Sequence, residues 1–196
     1  RASLTISAVM ATHGRGDRLE RVLTTLLGQE ALDEVLVVLD GTEDASQDVA
    51  AELASREARL RPLWVTHRGQ FAALHAGIEA ARTDVVWILD DDIVPSPGLA
   101  AGHLRRHVGD EGAVVLGYMP VRSPLGRNEV ASRRYAREYE ARCRGYEQDP
   151  SSVLEHLWGG NLSLRRADYL ALAPSRLRAP VGLEDARLYH EDRELG

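Results

Sequence analysis

Short apolar runs alternate along this chain with longer stretches in which apolar residues recur at every third or fourth position. Leu4 to Thr12 reads as a first strand, followed by a His13-Gly14-Arg15-Gly16 turn. Asp17, with Glu20 three residues on, has the form of a capping box that opens a helix. Leu19, Val22, Leu23, Leu26 and Leu27 give that helix one apolar face, and Gly28 suits its end. Val35 to Leu39 is a second strand, Ala45 to Ala58 a second helix with Val49 and Leu53 facing in, and Leu60 to Thr66 a third strand. Gln70 to Arg82 is a third helix that turns Phe71, Leu74, Ile78 and Ala81 inward. Val85 to Leu89 is then an apolar, β-branched run of the kind that fills the centre of a parallel sheet. Three alternations of strand and helix predict an α/β fold with right-handed crossovers.

The second part of the chain is patterned less regularly. Gly98 to Arg106 predicts a short helix and Ala113 to Tyr118 a fifth strand. Asn128 to Gln148 is an arginine-rich helix with a weak apolar face, carrying Tyr135, Tyr139 and Tyr146. Its charges read as solvated, and the tyrosine spacing reads as packing. Asn161 to Leu164 alternates like a strand, Arg166 to Ala173 is a short helix, and a last helix opens at Tyr189 with acidic residues in its first turn.

Composition narrows the class. The chain has 196 residues, enough for one domain with a sizeable core, and a formal charge of −6. That charge argues against a nucleic-acid partner. All 24 basic residues are arginine, which removes lysine chemistry. Cys143 is the single cysteine, so no internal disulfide forms. No stretch has the length of a transmembrane helix and no signal peptide is visible, which predicts a cytoplasmic protein or one peripheral at a membrane. Homo-oligomerisation is left open. Both ends read as trimmed, because Arg1 is no natural start and Gly196 stops inside a motif.

Chemistry concentrates where strands end. The fourth strand runs straight into Asp90-Asp91-Asp92, and the second ends at Asp40. In open α/β sheets the carboxyl edge of the strands is where ligands bind. Adjacent carboxylates repel one another unless positive charge sits among them, and a hard divalent cation with oxygen ligands is the natural counter-ion. The alternative is a solvated acidic loop. Seven histidines occur without a Cys-rich zinc spacing beside them; His75 reads as packed on its helix. Gly159 and Gly160 allow close backbone approach, and an aromatic residue, Trp158, stands directly before them.

These residues together resemble family 2 inverting glycosyltransferases of the GT-A, nucleotide-diphospho-sugar transferase fold. Val9 to Arg15 resembles the family's first strand and turn, and Val37 to Asp44 its second-strand loop. Ile88 to Asp92 resembles its DXD motif. Gly159 to Arg166, followed by Tyr189 to Gly196, resembles its acceptor-side strand and ED motif. The resemblance implies a single catalytic domain over residues 1–196. Residues 1–120 would form its nucleotide-binding half and 121–196 an acceptor-side half cut short at the C-terminus. It implies that Thr12, His13, Arg15, Asp40, Asp90 and Asp91 bind the donor nucleotide. Asp90 and Asp92 would hold Mn²⁺ or Mg²⁺, and Trp158, Gly159, Gly160, Asn161 and Glu191 would face the acceptor. Asp192 would be the catalytic base, with Asp185 of the earlier Glu184-Asp185 pair as the alternative. The implied partners are a nucleotide-diphosphate sugar and a hydroxyl acceptor, whether glycan, lipid or small molecule. Leu89 to Val94 also satisfies the Asp-x-Asp motif of haloacid dehalogenase-like phosphohydrolases, in which Asp90 would be the nucleophile. A non-catalytic nucleotide-sugar or glycan-binding module would keep Asp40 and the triplet but dispense with Asp192.

Overall fold

A computed structural model describes residues 3–41, 44–120, 129–155 and 159–172. Among them are six strands: β1 (Ile6–Thr12), β2 (Glu34–Asp40), β3 (Leu60–Val65), β4 (Val85–Leu89), β5 (Val115–Leu116) and β6 (Asn161–Arg165). The helices are α1 (Gly16–Leu27), α2 (Ser46–Arg56), α3 (Gln70–Ala80), α4 (Leu99–His107), α5 (Glu129–Gln148) and α6 (Arg166–Leu172), with a 3-10 turn at Pro150–Glu155. One sheet holds all six strands in the order β3-β2-β1-β4-β6-β5. β1 pairs in parallel with both β2 and β4, and β2 in parallel with β3. β6 is inserted antiparallel between β4 and β5. The sheet is therefore mixed and mostly parallel, as the pattern predicts.

The alternation of side chains across β1, β2 and β4 explains why the middles of these strands are apolar, with polar residues only near their ends. Ile6, Ala8, Met10, Val35, Val37, Leu39, Val85, Trp87 and Leu89 point to one face. There they meet Leu19, Val22, Leu23 and Leu26 of α1, Ala50 of α2 and Ala100 of α4. Val9, Ala11, Leu36, Val38, Val86 and Ile88 point to the other face, against Ala73, Leu74 and Ile78 of α3 and Tyr169 of α6. Both faces are covered, so no polar alternation can appear in these strands. Each large side chain taken out of water contributes about 1.5–3 kcal/mol.

Several boundaries differ from the sequence pattern. α1 begins at Gly16, with Arg15 at the N-cap and no side-chain cap bond, so the predicted Asp17 cap is corrected: Asp17 lies within the first turn. β5 has only two residues, because it is an edge strand paired along β6 alone. On α5, Tyr139 is buried and its hydroxyl accepts the Met119 N–H at 2.7 Å, while Tyr135 is exposed. His75 is packed as expected, with Nδ1 3.3 Å from the Tyr169 hydroxyl. Among the described residues, no helix is long and apolar enough to cross a membrane.

Candidate functional site

The parallel strands β1, β2 and β4 all end at one edge, and their last residues enclose a cleft of about 260 Å³. Thr12, His13 and Arg15 reach it from β1, Asp40 from β2, and Asp90, Asp91 and Asp92 from β4. Seven of the residues expected to bind donor or metal thus share one wall. Register accounts for this: β1 lies between β2 and β4, with Thr12 opposite Leu39 and Met10 opposite Leu89, so their C-terminal loops emerge side by side.

The acidic triplet divides its duties. Asp91 is tied back to β1, accepting the Thr12 hydroxyl at 2.8 Å, with Arg15 Nε 3.9 Å away. Asp90 accepts Gln70 Nε2 at 2.9 Å. Its carboxyl is pushed above the usual carboxylate range, chiefly by burial and then by the charge of Asp92, with a smaller push from Asp91 and an opposing pull from Gln70. Asp92 stands exposed at the mouth. The donor set at Asp90 and Asp92 is all oxygen and rich in negative charge. That chemistry fits a hard divalent cation, which would remove the strain on Asp90.

β6 enters the same edge because it runs antiparallel to β4. Its approach brings the Gly160 carbonyl to the Asp90 N–H at 3.2 Å. A Cβ at Gly160 would lie 2.7 Å from Asp90 Oδ2, so glycine is needed there for close approach. Asn161, expected at the acceptor side, is corrected: its side chain is fully buried away from the cleft. Asn161 Oδ1 accepts Trp87 Nε1–H at 2.7 Å and His103 Nε2–H at 3.0 Å. Its role is to lock β6 to β4 and α4. Trp158, Glu191 and Asp192, together with Asp185 and His190, lie outside the described residues.

Behind this lock sits a buried histidine pair. The Ser163 hydroxyl lies 2.8 Å from His103 Nδ1 and 2.8 Å from His107 Nε2. One proton arrangement fits these contacts, with Ser163 donating to His103 and His107 donating to Ser163, while the buried His107 Nδ1 and Asn161 Nδ2 have no hydrogen-bond partner among the described residues. Both rings are then neutral. Burial accordingly lowers the His103 pKa to about 4 and also lowers that of His107.

Asp40 is almost fully buried. Its carboxylate accepts the N–H of Arg68 at 3.0 Å and of Gly69 at 3.1 Å, immediately before α3. His67 Nδ1 lies 2.9 Å from Asp40 Oδ2. His13 Nδ1 donates to the Asp40 carbonyl at 2.7 Å, and the two imidazoles sit 4.6 Å apart, centroid to centroid. His67, Gln70 and Tyr135 were not singled out in the sequence as site residues. Tyr135 is near enough to Asp90 and Asp92 that burial and then their charges raise its hydroxyl pKa. For His67 a usable signal existed: it follows β3, and loops that follow adjacent parallel strands converge.

Comparisons with known proteins bear on the family and the fold. An uncharacterised glycosyltransferase of Nostoc sp. is 33% identical over 94 residues, which are 47% of this chain and 29% of that protein. The uncharacterised glycosyltransferase EpsJ of Bacillus subtilis is 33% identical over 93 residues, 46% of this chain and 27% of that protein. The chain thus spans less than a third of the length of these curated relatives. Among solved structures, the mannosyltransferase PcManGT from Pyrobaculum calidifontis, in complex with GDP-Man and Mn²⁺, superposes with a TM-score of 0.62 at 16% identity. The match covers 92% of this chain and 50% of that one and establishes a shared GT-A fold. The model of the family described as glycosyl transferase family 2 matches residues 7–170, most of the sheet and the whole strand-end cleft, and the chain belongs to that family.

Proposed function

We propose that this chain is the donor-binding and catalytic part of a glycosyltransferase. It would move a sugar from a nucleotide-diphosphate sugar to an acceptor hydroxyl by an inverting, metal-assisted displacement. The observation that carries the reading is the convergence of Asp40, Thr12, His13, Arg15 and the Asp90–Asp92 triplet on one cleft at the carboxyl edge of a mostly parallel sheet. Residues 1–120 form the nucleotide-binding half, and residues 121–196 contribute the acceptor side.

The base end of the donor lies at Asp40 and His13, and the diphosphate end at Arg15 and the triplet. Asp90 and Asp92 are the residues that would hold a divalent cation, Mn²⁺ or Mg²⁺, and support comes from the Mn²⁺ and GDP-Man held by the structural neighbour. When bound, such an ion supplies neutralisation of the charge that gathers on the departing diphosphate. The chain's own residues do the rest. Thr12 and Arg15 orient Asp91, and Gln70 orients Asp90. The Gly160 backbone closes against Asp90. Inversion requires a base on the face opposite the leaving group. Asp192 is assigned that task from its motif, with Asp185 as the alternative. A glycan, lipid or small molecule supplies the hydroxyl.

Family membership sets aside the phosphohydrolase reading of Asp90. The binding-module reading is tested by turnover. Thermal shift of the protein with UDP or GDP, with and without Mn²⁺, identifies the base: a ligand at a hundred times its Kd stabilises by about 2.7 kcal/mol. Asp92→Ala is expected to abolish the Mn²⁺-dependent part. Equal nucleotide affinity with and without metal, in wild type and variant alike, would refute the metal assignment. Nucleotide binding without release of nucleoside diphosphate from any nucleotide sugar, measured in the intact protein, would leave a binding module.

A further inference from the structure

The base end of the cleft holds a second group of side chains whose chemistry differs from that of the triplet. His13, Asp40 and His67 each bring one candidate ligand atom within 4.8 Å of the other two. Among the described residues this is the group of three or more metal-competent side chains that meets that spacing. We propose that His13, Asp40 and His67 form a binding site for a borderline transition metal, with Zn²⁺ as the best fit, and that the site is distinct from the oxygen-only Asp90–Asp92 pair.

Three features argue for a built site. The first is the donor set. Two imidazoles and one carboxylate suit Zn²⁺, Ni²⁺, Cu²⁺ or Fe²⁺, whereas Mg²⁺ and Mn²⁺ prefer the carboxylates of the triplet. The second is orientation. The His13 Nδ1–H is held by the Asp40 carbonyl at 2.7 Å, which leaves the Nε2 lone pair of the neutral ring unprotonated. The Asp40 carboxylate is held by two backbone N–H groups, Arg68 on Oδ1 at 3.0 Å and Gly69 on Oδ2 at 3.1 Å, and the second lone pair of Oδ2 faces His67 Nδ1. Ligands fixed from behind in this way are what metal sites need. The third is backbone fit. Gly41 has φ of +66°, and a Cβ there would lie 2.4 Å from His67 Cβ. Glycine at this position lets the loop after β3 press against the end of β2 and set His67 beside Asp40.

The spacing suits an ion. His67 Nδ1 and Asp40 Oδ2 are 2.9 Å apart and share a proton in the metal-free protein. Two ligands on a tetrahedral Zn²⁺ lie about 3.3 Å apart, from bond lengths near 2.0–2.1 Å. A cation replacing that proton therefore requires only a small opening, and its binding releases a proton. With three protein ligands, the fourth position is left to water or an incoming group.

The consequence for function rests on the donor reading above. His13 and Asp40 line the cleft where the nucleotide base would lie. An ion on those residues competes with the base, so Zn²⁺ acts as an inhibitor of donor binding, not as the catalytic metal.

The test uses the intact, nucleotide-free protein, with Zn²⁺ titrated by calorimetry and Co²⁺ as a visible-absorption probe. Wild type is expected to bind Zn²⁺ saturably in excess Mg²⁺. His67→Ala and His13→Ala are each expected to weaken that binding by at least roughly tenfold, since even outer-shell changes cost that much. Asp92→Asn is expected to leave it unchanged. His67→Gln preserves size and polarity, and circular dichroism checks its fold. No saturable Zn²⁺ binding, or binding unchanged in both histidine variants, overturns the site. A separate arm adds UDP or GDP with Mg²⁺. If the nucleotide binds and Zn²⁺ affinity does not fall, the overlap with the donor is refuted. Because zinc binding is read without nucleotide, failure of the site and failure of the donor reading are told apart.

Discussion

Asp40→Ala tests whether this buried carboxylate shapes the cleft by holding the loop that leads into α3. Asp40 is 3% exposed, and its oxygens accept the N–H groups of Arg68 and Gly69. Gly69 is the N-cap of α3 and provides no side-chain cap, so Asp40 serves from the neighbouring strand as the anion at that helix start. A hydrogen bond to a charged group contributes about 1.5–3 kcal/mol, but Arg68 is exposed and water replaces part of the loss, so each bond contributes about 1 kcal/mol net. The charge at the helix N-terminus adds about 0.5–1 kcal/mol. Asp40→Ala should therefore cost about 2.5–3 kcal/mol. Asp40→Asn, which keeps one acceptor oxygen and loses the charge, should cost about half as much. In urea, with an m-value of about 2–3 kcal/mol/M, the alanine variant should unfold about 1 M earlier. The loosened start of α3 also carries Gln70, which donates to Asp90, so nucleotide affinity should fall in both variants. If Asp40→Ala shifts stability by less than about 0.5 kcal/mol, the range of neutral surface substitutions, Asp40 does not hold this loop and the reasoning fails.

Further outcomes follow from the electrostatics. The Asp90 pKa is raised by burial and by Asp92, so the metal-free fold is more stable with Asp90 protonated, and that contribution is lost as pH rises through the raised pKa. Asp90→Asn should therefore stabilise the metal-free protein at neutral pH while abolishing Mn²⁺-dependent nucleotide binding; a destabilised variant in urea melts would contradict this. Buried His103 has its pKa lowered to about 4 from 6.5. The unfolded chain binds the extra proton in that window, so stability should fall as pH drops from about 6.5 to 4, by up to roughly 3 kcal/mol. His103→Gln should flatten the urea midpoint against pH, and an unchanged slope would point to other groups. Asn161→Ala strands the Trp87 and His103 donors and should cost about 2–5 kcal/mol, read by urea unfolding followed through tryptophan fluorescence. Asp192→Asn should lower turnover by roughly a hundredfold or more with donor binding kept, measured in the intact protein. Turnover lost instead in Asp185→Asn would move the base to the earlier pair.

The order of strands and helices through β4 was legible because it is written in local periodicity. Wholly apolar runs mark strands covered on both faces, and Leu19, Val22, Leu23 and Leu26 mark the buried stripe of α1. The strand-end positions of Asp40 and Asp90–Asp92 were equally legible, and parallel alternation alone sends them to one edge. What tertiary structure decided is how those ends meet. Thr12 and Asp91 are 79 positions apart, Asp40 and Arg68 28, and Trp87 and Asn161 74, and no local pattern encodes such pairs. Asn161 reads in sequence as a polar residue after two glycines, fit for a ligand. Insertion of β6 between β4 and β5 instead turns its side chain inward to meet Trp87 and His103. His67 carries no motif, and it joins His13 and Asp40 only because β3, β2 and β1 lie side by side and Gly41 leaves room for its backbone. Periodicity records which face of an element is covered. Partners across the sheet are set by strand order and direction, which depend on the packing of the whole domain.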